Sequence, residues 1–372
     1  MFKDFYNGKR VFITGHTGFK GSWLSEWLLL LGAHPIGYSL VPETTPSLFI
    51  QLGLEKRVDH HISDIRNART LTEALQAAQT DVVFHLAAQP LVRRSYDEPI
   101  VTYETNVLGT IYLLEALRFV NKPCSVVIVT TDKCYENRGW HFGYRENDPL
   151  GGHDPYSASK ACAELAVQSY RKSYFETKSN PRVAIASARA GNVIGGGDWS
   201  EDRIVPDSVR ALSKSQPISV RNPYATRPWQ HVLEPLSGYL LLGQLLYPGH
   251  TNETEGLCGA YNFGPNVHSN QTVAYLVEKM LTHWPGTWQD DSDPQALHEA
   301  GLLNLTTDKA WHNLQWRPVW DFDTTIQQTM QWYRDIIRLR PDSEHAAAIT
   351  KNQILAYHDQ AKQQKHRWAC DD

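Results

Sequence analysis

The stretch VFITGHTGFKGSWL, Val11 to Leu24, decides the fold. A short β-prone run leads straight into three glycines at GxxGxxG spacing, and an apolar helical pattern follows. Strand, glycine turn and helix in that order form a dinucleotide cradle. Gly15 permits the tight turn, Gly18 lets the backbone approach a pyrophosphate, and Gly21 allows close helix packing, while the helix N-terminus offers N–H groups and partial positive charge. The acid expected at the end of the second strand is missing, because GYSL (Gly37 to Leu40) stands there. Ser39 is placed to bond a ribose hydroxyl, and no arginine in that segment favours a 2′-phosphate. Lys20, inside the loop, is the one nearby cation that argues for the phosphorylated cofactor.

Outward from this loop, short β-rich runs alternate with helical patterns, the signature of βαβ units around a parallel sheet. Strands are expected over Arg10–Thr14, His34–Tyr38, Asp81–Leu86, Ser125–Thr130 and Arg182–Ala188. Helices are expected over Lys20–Leu31, Asn67–Ala78, Thr105–Val120 and Tyr156–Phe175. The fold class is therefore α/β, a doubly wound parallel sheet with a smaller C-terminal α/β part. The division expected is residues 1–188 for the cofactor domain, with 228–262 returning to it, 189–227 and 263–350 for substrate, and 351–372 as a tail without a functional clue.

The 372 residues suffice for a large core, and a formal charge of −4 leaves no basic footprint for nucleic acid or a membrane surface. The apolar runs WLLLL (Trp27 to Leu31) and YLLLG (Tyr239 to Gly243) are far too short to span a bilayer and read as buried helices. The N-terminus carries no signal-peptide pattern. Five cysteines lack CxxC or metal-ligand spacing, which fits reduced thiols in a cytoplasmic protein and no metal site.

Two further motifs carry chemistry. YSASK (Tyr156 to Lys160) opens a helix, and the i to i+4 spacing puts Tyr156 and Lys160 on one face. A free phenol, with a pKa of about 10, is a poor base at pH 7. A neighbouring ammonium and a nicotinamide cation both favour its phenolate. TTDKCYEN (Thr130 to Asn137) follows the apolar run CSVVIV, so a buried strand delivers Asp132 and Lys133 to its end. The arginines at 203, 221 and 227 fall in loop-like, ligand-facing text, and guanidinium groups suit a diphosphate.

GHTGFKG, HLAAQ (His85 to Gln89), Asn106 within TNVLGT, and YSASK together resemble the extended short-chain dehydrogenase/reductase family, over about residues 9–340. Within it, TTDKCYEN, RAGNVIGGGDW (Arg189 to Trp199) with DRIVPD (Asp202 to Asp207), and RNPYATRPWQHVLEPL (Arg221 to Leu236) resemble its nucleotide-sugar 4,6-dehydratases. The resemblance implies NAD as cofactor and CDP-glucose as the small-molecule partner. It also implies a homodimer or homotetramer built on the helices at 105–120 and 156–175, and a product that resembles a precursor of bacterial 3,6-dideoxyhexoses. Cofactor contacts are implied for Gly15, Thr17, Gly18, Phe19, Gly21, Asp64, Ile65, Leu86, Ala87, Ala88, Gln89, Asn106 and Thr130, joined by Tyr156 and Lys160. Substrate contacts are implied for Arg189, Asn192, Arg203 and Arg227, with His231 close behind and Arg221 added on chemical grounds.

The reaction implied oxidises C4 of the hexose, so that the C5 hydrogen becomes acidic, then eliminates water across C5 and C6. Tyr156 takes the C4 hydroxyl proton, Thr131 bonds the same oxygen and Lys160 holds the phenolate. Related dTDP-glucose dehydratases carry Thr-Asp-Glu where this chain has Thr131, Asp132 and Lys133. Asp132 is thus expected as the C6 acid and Lys133 as the C5 base, with Tyr135 its competitor and a purely orienting Lys133 the alternative. Epimerases of the family carry small residues in the two slots after the threonine. A nucleotide-sugar 4-epimerase, a dehydratase for another nucleotide, and a non-catalytic dinucleotide sensor are the remaining readings.

Overall fold

A computed structural model describes residues 1–176, 182–248, 256–293 and 302–370. Thirteen strands occur among them: β1 Arg10–Thr14, β2 His34–Ser39, β3 Asp59–Ile62, β4 Val82–His85, β5 Cys124–Thr131, β6 Val183–Ala190, β7 Val193–Ile194, β8 Ile218–Val220, β9 Thr226–Pro228, β10 Gln230–His231, β11 Ala260–Phe263, β12 Asn270–Thr272 and β13 Trp288–Asp290. Seven form a parallel sheet in the order β11-β6-β5-β4-β1-β2-β3, and the others pair as β10-β7, β12-β9 and β13-β8. The chain builds from β1 to β3 on one side, then returns to place β4 on the other flank of β1. That reversal opens a crevice at the carboxyl ends of β1 and β4, where α/β sheets of this kind bind ligands.

Alternation along each strand explains why the sheet is covered on both faces. Val11 and Ile13 of β1, with Val127 of β5, face one core, whereas Phe12, Val126 and Ile128 face the other. The first core is the larger and takes in Trp316, Trp320 and Trp332 from the C-terminal third. The fully buried Leu233–Leu245 helix, which holds the YLLLG run, packs on that face. The WLLLL run lies largely in the Phe19–Leu30 helix.

All five expected strands and all four expected helices occur within a few residues of their expected ends. The span expected as one helix over 105–120 is a π-helical turn, Glu104–Leu108, continued by Gly109–Leu117. The supposed tail contains a helix, Ser343–Gln363, that buries Ile354 and Tyr357. No helix among the described residues is long and apolar enough to cross a membrane, and no His/Cys/Asp/Glu cluster there could hold a metal. All five cysteines are unbridged.

Candidate active site

One cleft of about 850 Å³ runs along the carboxyl edge of the sheet, from β2 and β3 past β1, β4 and β5 to β8 and β9. The glycine loop forms its floor. Gly15 sits at φ +78°, and a Cβ there would meet the Ala87 backbone nitrogen at 2.6 Å. A Cβ on Gly21 would strike the Gly15 carbonyl oxygen at 2.2 Å. A Cβ on Gly18, the N-cap of the Phe19–Leu30 helix, would meet the Gly15 carbonyl oxygen at an ordinary 3.5 Å, and Gly18 lines the cleft at that helix N-terminus, the place that suits a pyrophosphate. Thr17 Oγ1 lies 2.8 Å from Ser39 Oγ and donates to the Leu40 carbonyl, so the loop and the β2 end are tied together.

His16 leaves room only for a glycine at position 37, inside β2. Its buried ring lies so close to Gly37 that a Cβ there would approach its carbons at 2.3 Å. Burial, with His60 and His61 nearby, lowers the His16 pKa to about 3, so the ring is neutral. Asp64 and Ile65 line the cleft; Arg66 donates to the Asp64 carboxylate and holds its pKa below the usual range. Leu86, Ala87, Ala88 and Gln89 leave β4 along the same wall. Asn106 does not reach the cleft. Buried behind Gln89, it accepts from the Gln89 N–H at 2.9 Å and donates to Gln89 O and Ser159 Oγ, fixing that wall to the Pro155–Tyr170 helix.

Thr131, Asp132, Lys133, Tyr156 and Lys160 meet at the centre of the cleft. β5 ends in a 3₁₀ turn, Asp132–Cys134, which Thr131 caps by accepting from the Lys133 N–H at 3.3 Å. Asp154 caps the Pro155–Tyr170 helix by accepting from Ser157 N, and Pro155 occupies its first turn, so Tyr156 projects from a rigid start. Lys160 donates to the Val129 carbonyl at 3.4 Å, and burial lowers its pKa to about 8, with Glu164 opposing that shift. Burial pushes the Tyr156 phenol up to about 12, against a hydrogen bond to Thr131. The protein alone therefore does not lower this phenol; the sequence expectation concerns the site with a nicotinamide cation beside it. Asp132 is 2 % exposed, and desolvation raises its pKa although Lys133, Thr131 and Arg227 all oppose it. Gly191 makes room for it, since a Cβ there would lie 2.6 Å from Asp132 Oδ2. Lys133 is partly exposed on the cleft wall.

On the other side stand Asn192, Arg203, Arg221 and Arg227. Arg203 pairs with Asp198 at 2.8 Å and Arg221 with Asp202 at 2.5 Å. Two expected substrate residues are not brought to the cleft. Arg189 is buried in an ion pair with Glu164 at 2.8 Å. His231 is buried between Trp23 and Trp320, its pKa lowered by burial to about 3. Tyr135 likewise lies outside the cleft: it donates to Asn262 Oδ1 at 2.7 Å, and burial raises its pKa, which removes it as a base. Conversely, Lys20 projects from the first helical turn into the cleft, where burial, Arg203 and Lys160 lower its pKa to about 8. Glu164, absent from the sequence reading, had a readable signal: it stands four residues after Lys160, as Lys160 stands four after Tyr156.

The chain matches the family described as GDP-mannose 4,6 dehydratase over residues 12–329. It is 48% identical over 359 residues to the CDP-glucose 4,6-dehydratase of Salmonella typhimurium, covering 95% of this chain and 98% of that one. The chain belongs to the nucleotide-sugar 4,6-dehydratase family. More distantly, it is 25% identical to a dTDP-glucose 4,6-dehydratase of Xanthomonas campestris, over 86% of this chain and 92% of the relative. Among solved structures, the dTDP-glucose 4,6-dehydratase of Bacillus anthracis in complex with NAD superposes with a TM-score of 0.72 at 22% identity, over 87% of this chain and 96% of that one. An epimerase of Methanothermobacter thermautotrophicus gives 0.74 at 23% identity, over 91% and 96%. These two share the fold of this dehydratase, a hydro-lyase by its family.

Proposed function

We propose that this dehydratase converts CDP-D-glucose to CDP-4-dehydro-6-deoxy-D-glucose and water, with NAD as a cofactor that finishes oxidised. The observation that carries the reading is the convergence of Thr131, Asp132, Lys133, Tyr156 and Lys160 on one cleft. An acid with a raised pKa stands there beside a partly exposed lysine, where an epimerase needs neither. The relative at 48% identity supports the cytidine nucleotide, and Gly15, Gly18 and Gly21, which line the cleft at a helix N-terminus, fit the cofactor's pyrophosphate.

NAD, held at the glycine loop, would supply the hydride acceptor for C4 and the hydride donor for C6. The chain's own residues handle the protons. Tyr156, as phenolate, accepts the C4 hydroxyl proton, with Lys160 and the positive nicotinamide offsetting the burial that otherwise raises its pKa. Lys133 takes the C5 proton. Asp132, which burial keeps disposed to hold a proton, gives it to the departing C6 hydroxyl, so that water leaves and a C5–C6 double bond forms. Lys133 returns a proton to C5 as C6 is reduced, which restores that lysine, and the cycle closes when Tyr156 releases its proton to solvent and Asp132 takes one up. Arg203, Arg227 and Asn192 hold the diphosphate.

Incubation of the purified protein with CDP-, dTDP-, UDP- and GDP-glucose, followed by mass spectrometry, tests the reading. Loss of one water from CDP-glucose in preference to the other three is expected. A product of unchanged mass would instead indicate an epimerase.

A further inference from the structure

We propose that Glu164, Arg189 and Tyr135 form a buried clamp that positions Asp132 and Lys133 for the elimination half of the reaction. This inference rests on the functional reading above. The segment 131–134 carries the acid and the base, and the same ion pair holds it at both ends. Before it, Thr130 donates through Oγ1 to Glu164 Oε1 at 2.5 Å. After it, Tyr135 accepts from Arg189 Nη1 at 2.7 Å and donates to Asn262 Oδ1 at 2.7 Å. Arg189 Nη2 closes the loop on Glu164 Oε2 at 2.8 Å, where Ser187 also donates. Strand register makes this possible, since Thr130 of β5 lies directly beside Arg189 of β6.

The chemistry favours a positioning role over simple stabilisation. Both charged side chains are almost fully buried, at 4 % and 3 % exposure, and burying such a pair is weak support for stability because desolvation offsets the attraction. The pair's geometric effect is specific. Glu164 lies on the same helix as Tyr156 and Lys160, one turn beyond the latter, so the clamp ties the 3₁₀ turn bearing Asp132 to the helix bearing the phenol. Tyr135 adds stacking on Tyr144, with ring centroids 5.2 Å apart, and lies beneath the Arg189 guanidinium at 4.9 Å. Its hydroxyl is fully used by two partners. Tyr156 and Lys160 are held by their own helix and by the Val129 carbonyl, and the Thr131 that bonds Tyr156 adjoins Thr130, which Glu164 anchors independently of Tyr135. Releasing the Tyr135 end should therefore disturb the acid and base while leaving the oxidising pair in place.

The test separates the two half-reactions in Tyr135→Phe. Single-turnover reduction of the nicotinamide, followed by absorbance, reports C4 oxidation. Deuterium uptake from solvent at C5, together with water loss, reports elimination. The clamp predicts oxidation within about twofold of wild type and elimination slower by about ten- to a hundredfold, the scale of a misplaced catalytic group, with reduced cofactor accumulating. Arg189→Lys keeps a cation against Glu164 but lacks the forked donor to Tyr135; it is expected to show the same uncoupling and provides a second reading if the phenylalanine variant misfolds. Equal slowing of both halves, or no slowing of either, overturns the clamp. A wild-type chain that releases no water from CDP-glucose overturns the clamp and the functional reading together, whereas an active wild type beside an unaffected Tyr135→Phe overturns the clamp alone.

Discussion

At the scale of single residues, the proposed elimination turns on Lys133 as its base. Lys133 lines the cleft beside the buried Asp132, and Tyr135, the other residue considered for the base, is turned away into a hydrogen-bonded pocket. Lys133→Ala should therefore still reduce the cofactor on mixing with CDP-glucose but lose C5 proton exchange by about a hundred- to ten-thousandfold, the range for removing a general base. Deuterium uptake at C5 measured by NMR decides it; exchange near the wild-type rate would sink the assignment. Most of the site was legible because its residues stand in compact motifs, each delivered by one strand end or helix start. Arg189 and His231 were misread for a physical reason. A sequence places an arginine near a strand end, but does not show that Glu164 of the preceding helix pairs with it and buries it.

At the scale of elements, the five strands read from the sequence share a property: their apolar and β-branched residues cover both faces of the sheet. β3 was missed because its residues, DHHI, are largely exposed at the edge of the sheet and show no apolar alternation. β11 was missed because its four residues lie far along the chain from their partner β6. The Leu233–Leu245 helix brings a comparable surprise, since Glu234 is buried within it. That carboxylate accepts from the Val319 and Trp320 N–H groups at 2.9 and 2.7 Å and from the Tyr357 hydroxyl at 2.7 Å, joining three elements. Burial raises its pKa from 4.5 to about 7 in spite of those donors. Below about pH 4.5 the group is protonated whether folded or unfolded; between about 4.5 and 7 only the folded chain keeps the proton. Its contribution to stability is thus complete at the acid end and is lost as pH rises through 7. Glu234→Gln, which does not titrate, should gain Tm relative to wild type between pH 5 and pH 8. Thermal melts of both proteins at the two pH values measure it, and a constant difference would count against the raised pKa.

At the scale of the whole molecule, the C-terminal residues read as a tail without a functional clue complete the larger core. Trp368 is buried, stacking on Phe2 with centroids 5.2 Å apart and on Tyr357 at 5.7 Å, and it meets Trp27 edge-on at 5.9 Å. The backbone joins in, as Phe2 N donates to the Trp368 carbonyl at 2.6 Å. The polar Gln, Lys and His residues around it hid this in the sequence, because one tryptophan among them gives no periodic signal. Trp368→Ala should lower stability by about 3–5 kcal/mol, the usual effect of truncating a buried aromatic. Turnover per folded molecule should stay unchanged, since the residue lies outside the cleft. Denaturant titration and kcat, measured on the same preparation, distinguish this from a catalytic role.

The contact between Phe2 and Trp368 also ties the segment before β1 to the segment after the Ser343–Gln363 helix, so that cutting the chain before Trp368 would uncover Phe2, Trp27 and Tyr357 together.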